Sequence, residues 1–313
     1  MTTRTLHAER TGPVTLDLDL PAGSITVRAE AGRERAALTI RTADETGSSA
    51  DAVTDAVLRW EERGALVAQV KNTGAAGFTS VVQGNRGTTV IQSFDSVSFG
   101  GSVIGMVGGT IHGDLILGGG KTIVNGQVIS HGGAGTTVHI GGSPIEIIAT
   151  VPEGSTVIAR TRSADVTADG SLTAVNARTQ SGDIRLDTVE RPVVETQSGD
   201  VTIERSQDAN IKTQSGDIRL GRTDVVQANT QSGDIRVTDF GGTALLNTMS
   251  GDLTVHATAG GDLTARTMSG DVAVTATEAA LTEDLDVQAN SMSGRVRTPQ
   301  RRAAGSGVRR RRD

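Results

Sequence analysis

The sequence predicts an all-β fold: a parallel β-solenoid, or single-stranded β-helix, with short rungs of about 17 to 19 residues. Three observations predict it. The phrase Ser-Gly-Asp begins at Ser181, Ser198, Ser215, Ser232, Ser250 and Ser269, with a worn copy, Ser-Gly-Arg, at Ser293; the intervals are 17, 17, 17, 18, 19 and 24 residues. A unit returning at nearly fixed period, each copy too short to bury its own apolar face, acquires a core only by stacking on its neighbours. Composition agrees: with four Phe, one Trp and no Tyr, the core must be built from Val, Ile, Leu, Ala and Thr, residues that suit narrow layers of stacked strands. Finally, the columns around each phrase alternate. Four residues before each Ser stand Ala177, Val194, Ile211, Ala228, Leu246, Ala265 and Ala289, and two before stand Thr179, Thr196, Thr213, Thr230, Thr248, Thr267 and Ser291. Three residues after come Ile184, Val201, Ile218, Ile235, Leu253, Val272 and Val296, and five after come Leu186, Ile203, Leu220, Val237, Val255 and Val274. These columns form the expected interior, and the glycine is expected to give the backbone freedom of the corner between two short strands. Parallel crossovers favour a right-handed coil.

Taken in order, the chain divides into 1–73, an N-terminal β module with a short helix; 74–150, Gly-rich β-solenoid rungs; 151–298, the Ser-Gly-Asp array; and 299–313, a disordered Arg-rich tail. In the first stretch Val14, Leu16, Leu18 and Leu20 alternate in the strand period, then Ile25 and Val27 follow the turn Pro21-Ala22-Gly23-Ser24, and Ala37 to Arg41 continues the pattern. Ser48 with Asp51 reads as a capping box. Two continuations follow: one helix from Ser48 to Gly64, or a helix ending near Ala56 with Val57 to Glu61 as a strand paired with Leu66 to Val70. The second is preferred. Between Gly100 and Gly142, triplets such as Leu115-Ile116-Leu117 and Thr122-Ile123-Val124 lie between glycines and read as narrow rungs. Val151-Pro152-Glu153-Gly154-Ser155 then repeats the proline turn seen at Leu20.

Composition also excludes whole classes of chemistry. The chain has no cysteine, so disulfides, thiolate nucleophiles and thiolate metal sites are absent. No apolar run of signal-peptide length opens it and none approaches the roughly 18 residues of a membrane span, so the cytoplasm is the expected compartment. Residues Arg295 to Asp313 carry +7, leaving −13 for the remainder of a chain of net charge −6. Such a basic tail on an acidic body could contact an anionic partner: nucleic acid, anionic lipid or the body itself.

Three motifs invite a chemical reading. The column Asp183, Asp200, Asp217, Asp234, Asp252 and Asp271 would set a ladder of carboxylates along one edge, as a glycosidase, a lyase or a calcium site requires. Two residues on, however, stand Arg185, Thr202, Arg219, Arg236, Thr254 and Ala273 on the same outward face. Interleaved Arg neutralises Asp, and Asp after Gly is a turn residue, so the ladder reads as structural. Gly118-Gly119-Gly120-Lys121-Thr122 resembles a phosphate loop but has Leu115 where the first glycine belongs, and reads as a corner. His112 and His131 lie 19 residues apart, about one rung, with Asp114 alongside; two imidazoles and a carboxylate are a possible metal set, outweighed by solvated corner histidines. His7, His139 and His256 have no comparable partner. No catalytic, cofactor-binding or metal-binding residue is assigned.

The Thr-Gln-Ser-Gly-Asp-Ile copies at Thr179, Thr213 and Thr230, the Thr-Met-Ser-Gly-Asp copies at Thr248 and Thr267, and the Pro-x-Gly-Ser openings resemble the bacterial β-strand-repeat family called putative adhesins, a domain of unknown function. The resemblance covers roughly Leu16 to Arg297. It implies a β-solenoid with a role in surface attachment or envelope-stress signalling, and no established catalytic residues. The expectation is therefore a non-catalytic interaction or scaffold protein, with a protein partner or self-assembly and no small-molecule substrate. Two rivals are a polysaccharide-cleaving β-helix using ladder carboxylates such as Asp217, and a bactofilin-like filament growing through open solenoid ends.

Overall fold

The computed structural model describes residues 1–71 and 143–299, together with the backbone of six short strands between them. In chain order the N-terminal elements are β1 (Thr2–His7), β2 (Thr15–Leu20), β3 (Ser24–Glu30), β4 (Ala37–Thr42), α1 (Ser48–Asp55), β5 (Val57–Glu61) and β6 (Ala65–Gln69). The six short strands are β7 (Thr79–Gly84), β8 (Gly87–Gln92), β9 (Ile116–Gly118), β10 (Lys121–Val124), β11 (Gln127–Ser130) and β12 (Thr137–Ile140). Then follow β13 (Ile145–Pro152), β14 (Thr156–Thr161), β15 (Asp165–Arg178), β16 (Ile184–Glu195), β17 (Val201–Lys212), β18 (Ile218–Asn229), β19 (Ile235–Ser250), β20 (Leu253–Ser269), β21 (Val272–Ala276), α2 (Glu278–Thr282), β22 (Leu285–Ser293) and β23 (Val296–Arg297).

Seventeen of these strands share one hydrogen-bonded sheet, mostly parallel, in a solenoid-like repeat. The sheet runs as two courses, because each long strand bends partway and pairs on both sides of the core. One course is β1, β4, β13, β3, the first halves of β15 to β20, then β21 and β23. The other is β5, β6, β2, β14, the second halves of β15 to β20, then β22. Register follows the phrase: Ile184 pairs with Val201, Val201 with Ile218 and Ile218 with Ile235. A period of two along each strand then keeps every aliphatic column pointing inward. Ile184, Val201, Ile218, Ile235, Leu253 and Val272 are all fully buried, as are Val194, Ile211, Ala228, Leu246 and Ala265 on the facing course. Each such Val, Leu or Ile contributes roughly 1.5–3 kcal/mol relative to exposure.

The N-terminal strands belong to the same sheet: β2 lies between β6 and β14, and β3 between β13 and β15. Val14, Leu16, Leu18, Leu20, Ile25 and Val27 join the core cluster as their alternation predicts. The shorter-helix reading of Ser48 to Val70 matches the structure, since α1 stops at Asp55 and β5 pairs antiparallel with β6. The capping box does not form. Gly47 is the N-cap, no side chain caps the helix, and Asp51 N–H donates to the Gly47 carbonyl. α1 buries Ala50, Ala52 and Val53 and closes this end of the core.

The Gly-rich stretch corrects an expectation. Its described strands are not parallel rungs: β10 pairs antiparallel with both β9 and β11, and β7 pairs antiparallel with both β8 and β12, in two three-stranded sheets. A short link between strands favours a hairpin, whereas a parallel crossover needs a dozen or more residues. Only two residues separate β10 from β11, so the triplets fold back rather than coil onward.

Candidate functional site

The Ser-Gly-Asp corners carry the strongest candidate in the sequence, and their geometry shows what the three residues do. Each buried Thr that precedes a phrase turns its hydroxyl onto the corner: Gly182 N–H donates to Thr179 Oγ1 (2.9 Å), Gly199 to Thr196 (3.0 Å), Gly216 to Thr213 (3.0 Å) and Gly233 to Thr230 (3.1 Å). Farther along, Thr248 and Thr267 donate their hydroxyls to the carbonyls of Gly233 and Gly251 in the preceding rung, at 3.2 and 3.1 Å. The serine amides also bond downward, Ser198 to the Gln180 carbonyl and Ser215 to that of Gln197, both at 2.8 Å.

The glycine is needed for a reason other than the one expected from sequence. Gly182, Gly199, Gly216 and Gly233 do not adopt positive φ. What they lack is room. A Cβ on Gly216 would overlap the carbonyl oxygen of Gly199 and lie 2.7 Å from its carbonyl carbon, and the same holds for Gly233 over Gly216 and Gly199 over Gly182. The glycine column is the line of closest approach between rungs, and a side chain there would prise them apart.

The aspartate ladder is built into the backbone. Asp200 N–H donates to Asp183 Oδ1 (3.1 Å), Asp217 to Asp200 (3.0 Å), Asp234 to Asp217 (3.0 Å), Asp252 to Asp234 (2.8 Å) and Asp271 to Asp252 (2.7 Å). The ladder begins one rung earlier than the phrase, since Asp183 N–H donates to Asp165 Oδ1 at 2.9 Å. It ends at Arg295, whose amide donates to Asp271 Oδ1 at 2.8 Å. The second carboxylate oxygens meet the arginine column in places. Arg185 pairs with Asp183 Oδ2 at 2.9 Å, and Arg219 spans Asp200 Oδ2 at 3.0 Å and Asp217 Oδ2 at 2.8 Å. Desolvation opposes ionisation of Asp200, but the Asp217 amide and the guanidiniums of Arg219 and Arg185 outweigh it and hold its carboxyl below the ordinary range. The bond to Asp200 in turn raises Arg219.

The remaining candidates are dispersed. His112, Asp114 and His131 lie outside the described residues, as do Gly119, Gly120 and residues 300–313; Lys121 and Thr122 are in β10. His139 is in β12, His7 is exposed on β1, and exposed His256 shares a 2.8 Å hydrogen bond with Thr275 Oγ1 through Nδ1. Among the described residues no three His, Asp or Glu are grouped to hold a metal, and no helix is long and apolar enough to cross a membrane. One surface escaped the sequence reading. The column just before each Ser is Gln180, Gln197, Gln214 and Gln231, then Met249, Met268 and Met292, and the three methionines are 51%, 50% and 77% exposed. Reading that column as the others were read would have revealed a polar edge turning apolar.

The two-course sheet and its bonded corners define a strand-rich, helix-poor repeat protein whose recurrent motif holds rung to rung. The chain belongs to the Toastrack DUF4097 family, whose model matches residues 119–311 and whose function is unknown. That membership agrees with the repeat resemblance found in the Ser-Gly-Asp copies. No curated protein matches. A putative lipid binding protein from Parabacteroides distasonis is similar in fold at 12% identity and TM-score 0.50, covering 96% of this chain and 97% of that one. A putative adhesin from Bacteroides fragilis is similar at 13% identity and TM-score 0.41, with 95% and 97% covered.

Proposed function

We propose that this chain is a non-catalytic interaction or scaffold protein of the bacterial cytoplasm, a solenoid of two-sided rungs of about 17 to 19 residues. One observation carries the reading: the carboxylates that recur often enough to suggest an active site are each spent on the amide of the following rung. A glycosidase needs two carboxyl groups on opposite sides of a bond, one free to give a proton and one free to attack or to activate water. Carboxylates aligned on one edge, with one oxygen on backbone N–H and the other in places on Arg, serve neither role. The apolar ridge Met249, Met268 and Met292 supports the same reading, because flexible thioether side chains suit adaptable contacts and nothing described packs over them.

Affinity capture from a bacterial lysate tests it, using the full chain, a chain lacking residues 299–313, and a chain with all three ridge methionines changed to Gln. A partner retained by the full chain and lost from one variant supports the reading and says whether tail or ridge holds it. Cleavage of any member of a glycan panel, abolished by Asp217→Asn, would replace it with the enzyme reading.

A further inference from the structure

The two ends of the sheet are built differently. At the N-terminal end the antiparallel strands β1 and β5 are the first of their courses, and α1 buries Ala52 and Val53 in the core there. At the other end β22 and β23 are the last strands of their courses, and no described element covers them. Burial registers the difference column by column. Leu263 and Ala265 are 1% and 0% exposed, whereas their counterparts Val287 and Ala289 on β22 are only half-buried; Val272 is 0% exposed and its counterpart Val296 is 42%. An unpaired strand edge beside an open apolar core is a template for another strand.

Charge indicates which strand. The corner at α2, Thr277 to Asp286, carries Glu278, Glu283, Asp284 and Asp286 and no base. The opposite corner, Ser291 to Pro299, carries Arg295 and Arg297 and no acid. Neither arginine forms an ion pair with a described residue, nor do Glu278, Glu283 and Asp286. A two-fold axis normal to the sheet exchanges the corners, setting the acidic corner of one copy against the basic corner of the next. The inner face of β22 tolerates the same rotation: centred on Ala289, antiparallel pairing sets half-buried Val287 opposite half-buried Ser291, and half-buried Leu285 opposite exposed Ser293.

We propose that the C-terminal end of the solenoid is a self-pairing surface, on which β22 of one chain joins β22 of a second copy antiparallel about Ala289. The resulting contact is isologous and closes at two copies, because the same edge of both chains is used up in it. It differs from a filament, which requires two edges per chain. It is also independent of whether the ladder is catalytic, since a dimer can be either.

The test uses the full chain in sedimentation velocity from about 1 to 200 µM, a range that spans weak isologous contacts. The expected result is a reversible monomer–dimer equilibrium with no larger species. Arg295→Glu with Arg297→Glu, and separately Glu283→Arg with Asp286→Arg, each weaken it at least about tenfold, and an equimolar mixture of the two variants restores association because both corners are again complementary. All the altered side chains are exposed, and the melts of the variants serve as the folding control, with a small loss expected only for Glu283→Arg, which removes the acceptor of Gly260 N–H at 3.2 Å. A second measurement exploits the absence of cysteine. Residues directly opposite in an antiparallel pair have Cα atoms about 4.5–5.5 Å apart, within disulfide reach. Ala289→Cys therefore yields a covalent dimer on oxidation, whereas Thr275→Cys, exposed on β21 one rung inside, does not. A monomer at every concentration, as when residues 300–313 cover the end instead, overturns the proposal. So does association that ignores both charge variants and leaves Ala289→Cys uncrosslinked.

Discussion

Gly216→Ala separates two accounts of the corner glycine. If the glycine were there for conformational freedom, alanine would be tolerated, because Gly216 is not in the left-handed region. The substitution would then stabilise by about 0.4–1 kcal/mol through the unfolded chain. The structure predicts the opposite sign. The new Cβ overlaps the Gly199 carbonyl oxygen, lies 2.7 Å from its carbon and 3.1 Å from Thr213 Oγ1, and two of these three atoms are backbone that cannot rotate away. Relief requires the rungs to part at the corner, which breaks the bonds that cross between them, from Asp217 N–H to Asp200 Oδ1 and from Ser215 N–H to the Gln197 carbonyl. At about 1 kcal/mol each, those two losses cost about 2 kcal/mol before any strain is counted. Gly32→Ala is the control: φ is 74° with nothing within 4 Å of the added Cβ, so only the left-handed backbone penalty of about 1–2 kcal/mol applies. Urea unfolding should rank Gly216→Ala as the more damaging. Because stacked rungs open locally, hydrogen exchange resolved by residue should show the loss centred on Ser215 to Asp217. A Gly216→Ala chain as stable as wild type, with those amides equally protected, would refute close approach as the reason for the glycine.

Thr213→Val keeps shape and removes the acceptor of the buried Gly216 amide, so it should cost about 1–3 kcal/mol in urea, while Thr213→Ser costs much less, as Ser291 at the equivalent place suggests. Asp200 gives a pH test. Its carboxyl is held below the ordinary range, so its contribution is complete above the unfolded value near pH 4 and declines as pH falls through the lower folded value. The acid limb of a stability–pH curve should accordingly flatten in Asp200→Asn relative to wild type, and an unchanged limb would remove the ladder from acid stability. Changing Met249, Met268 and Met292 together to Gln, the residue of the preceding rungs, should alter stability by no more than about 0.5 kcal/mol in thermal melts, since the side chains are exposed.

What the sequence revealed follows from what a period can encode. A near-fixed interval sets the register, and register plus alternation sets which columns are inside, so Ile184 to Val272 and Ala177 to Ala265 were legible without coordinates. The strand Val57 to Glu61 was legible too, from a turn between two apolar runs. Roles that depend on distance across the stack were not. No local pattern states that Gly216 sits against Gly199, or that Asp200 reaches the Asp217 amide; both need the rung spacing of about 4.8 Å and the direction of each bond. The Gly-rich stretch failed for another reason. Apolar triplets between glycines look alike whether they coil onward or fold back, and only the two-residue links, between β9 and β10 and between β10 and β11, distinguish them.

The worn copy at Ser293 supplies an internal control on the aspartate. Asp suits this column because its carboxylate is short enough to reach an amide one rung ahead and keeps a second oxygen for Arg, as Asp200 does with Asp217 N–H and Arg219. Its service is therefore always to the following rung. At the first place in the ladder, Ser163-Ala164-Asp165, the glycine is missing but the aspartate is present, and a rung follows: Asp165 Oδ1 accepts from Asp183 N–H. At the last, Ser293-Gly294-Arg295, the glycine is present and must be, for its Cβ would overlap the Gly270 carbonyl oxygen beneath it. The aspartate is gone, and no described rung follows. Within the array the aspartate persists where a rung stands above it; the glycine follows no such simple rule, since Ala164 also has a turn beneath it, Pro21 to Ser24. A catalytic carboxylate would not track the presence of the next amide. Restoring the phrase by Arg295→Asp should consequently leave the stability of the array almost unchanged, whereas Asp271→Ala, one rung inside, should release the Arg295 amide and expose it to exchange.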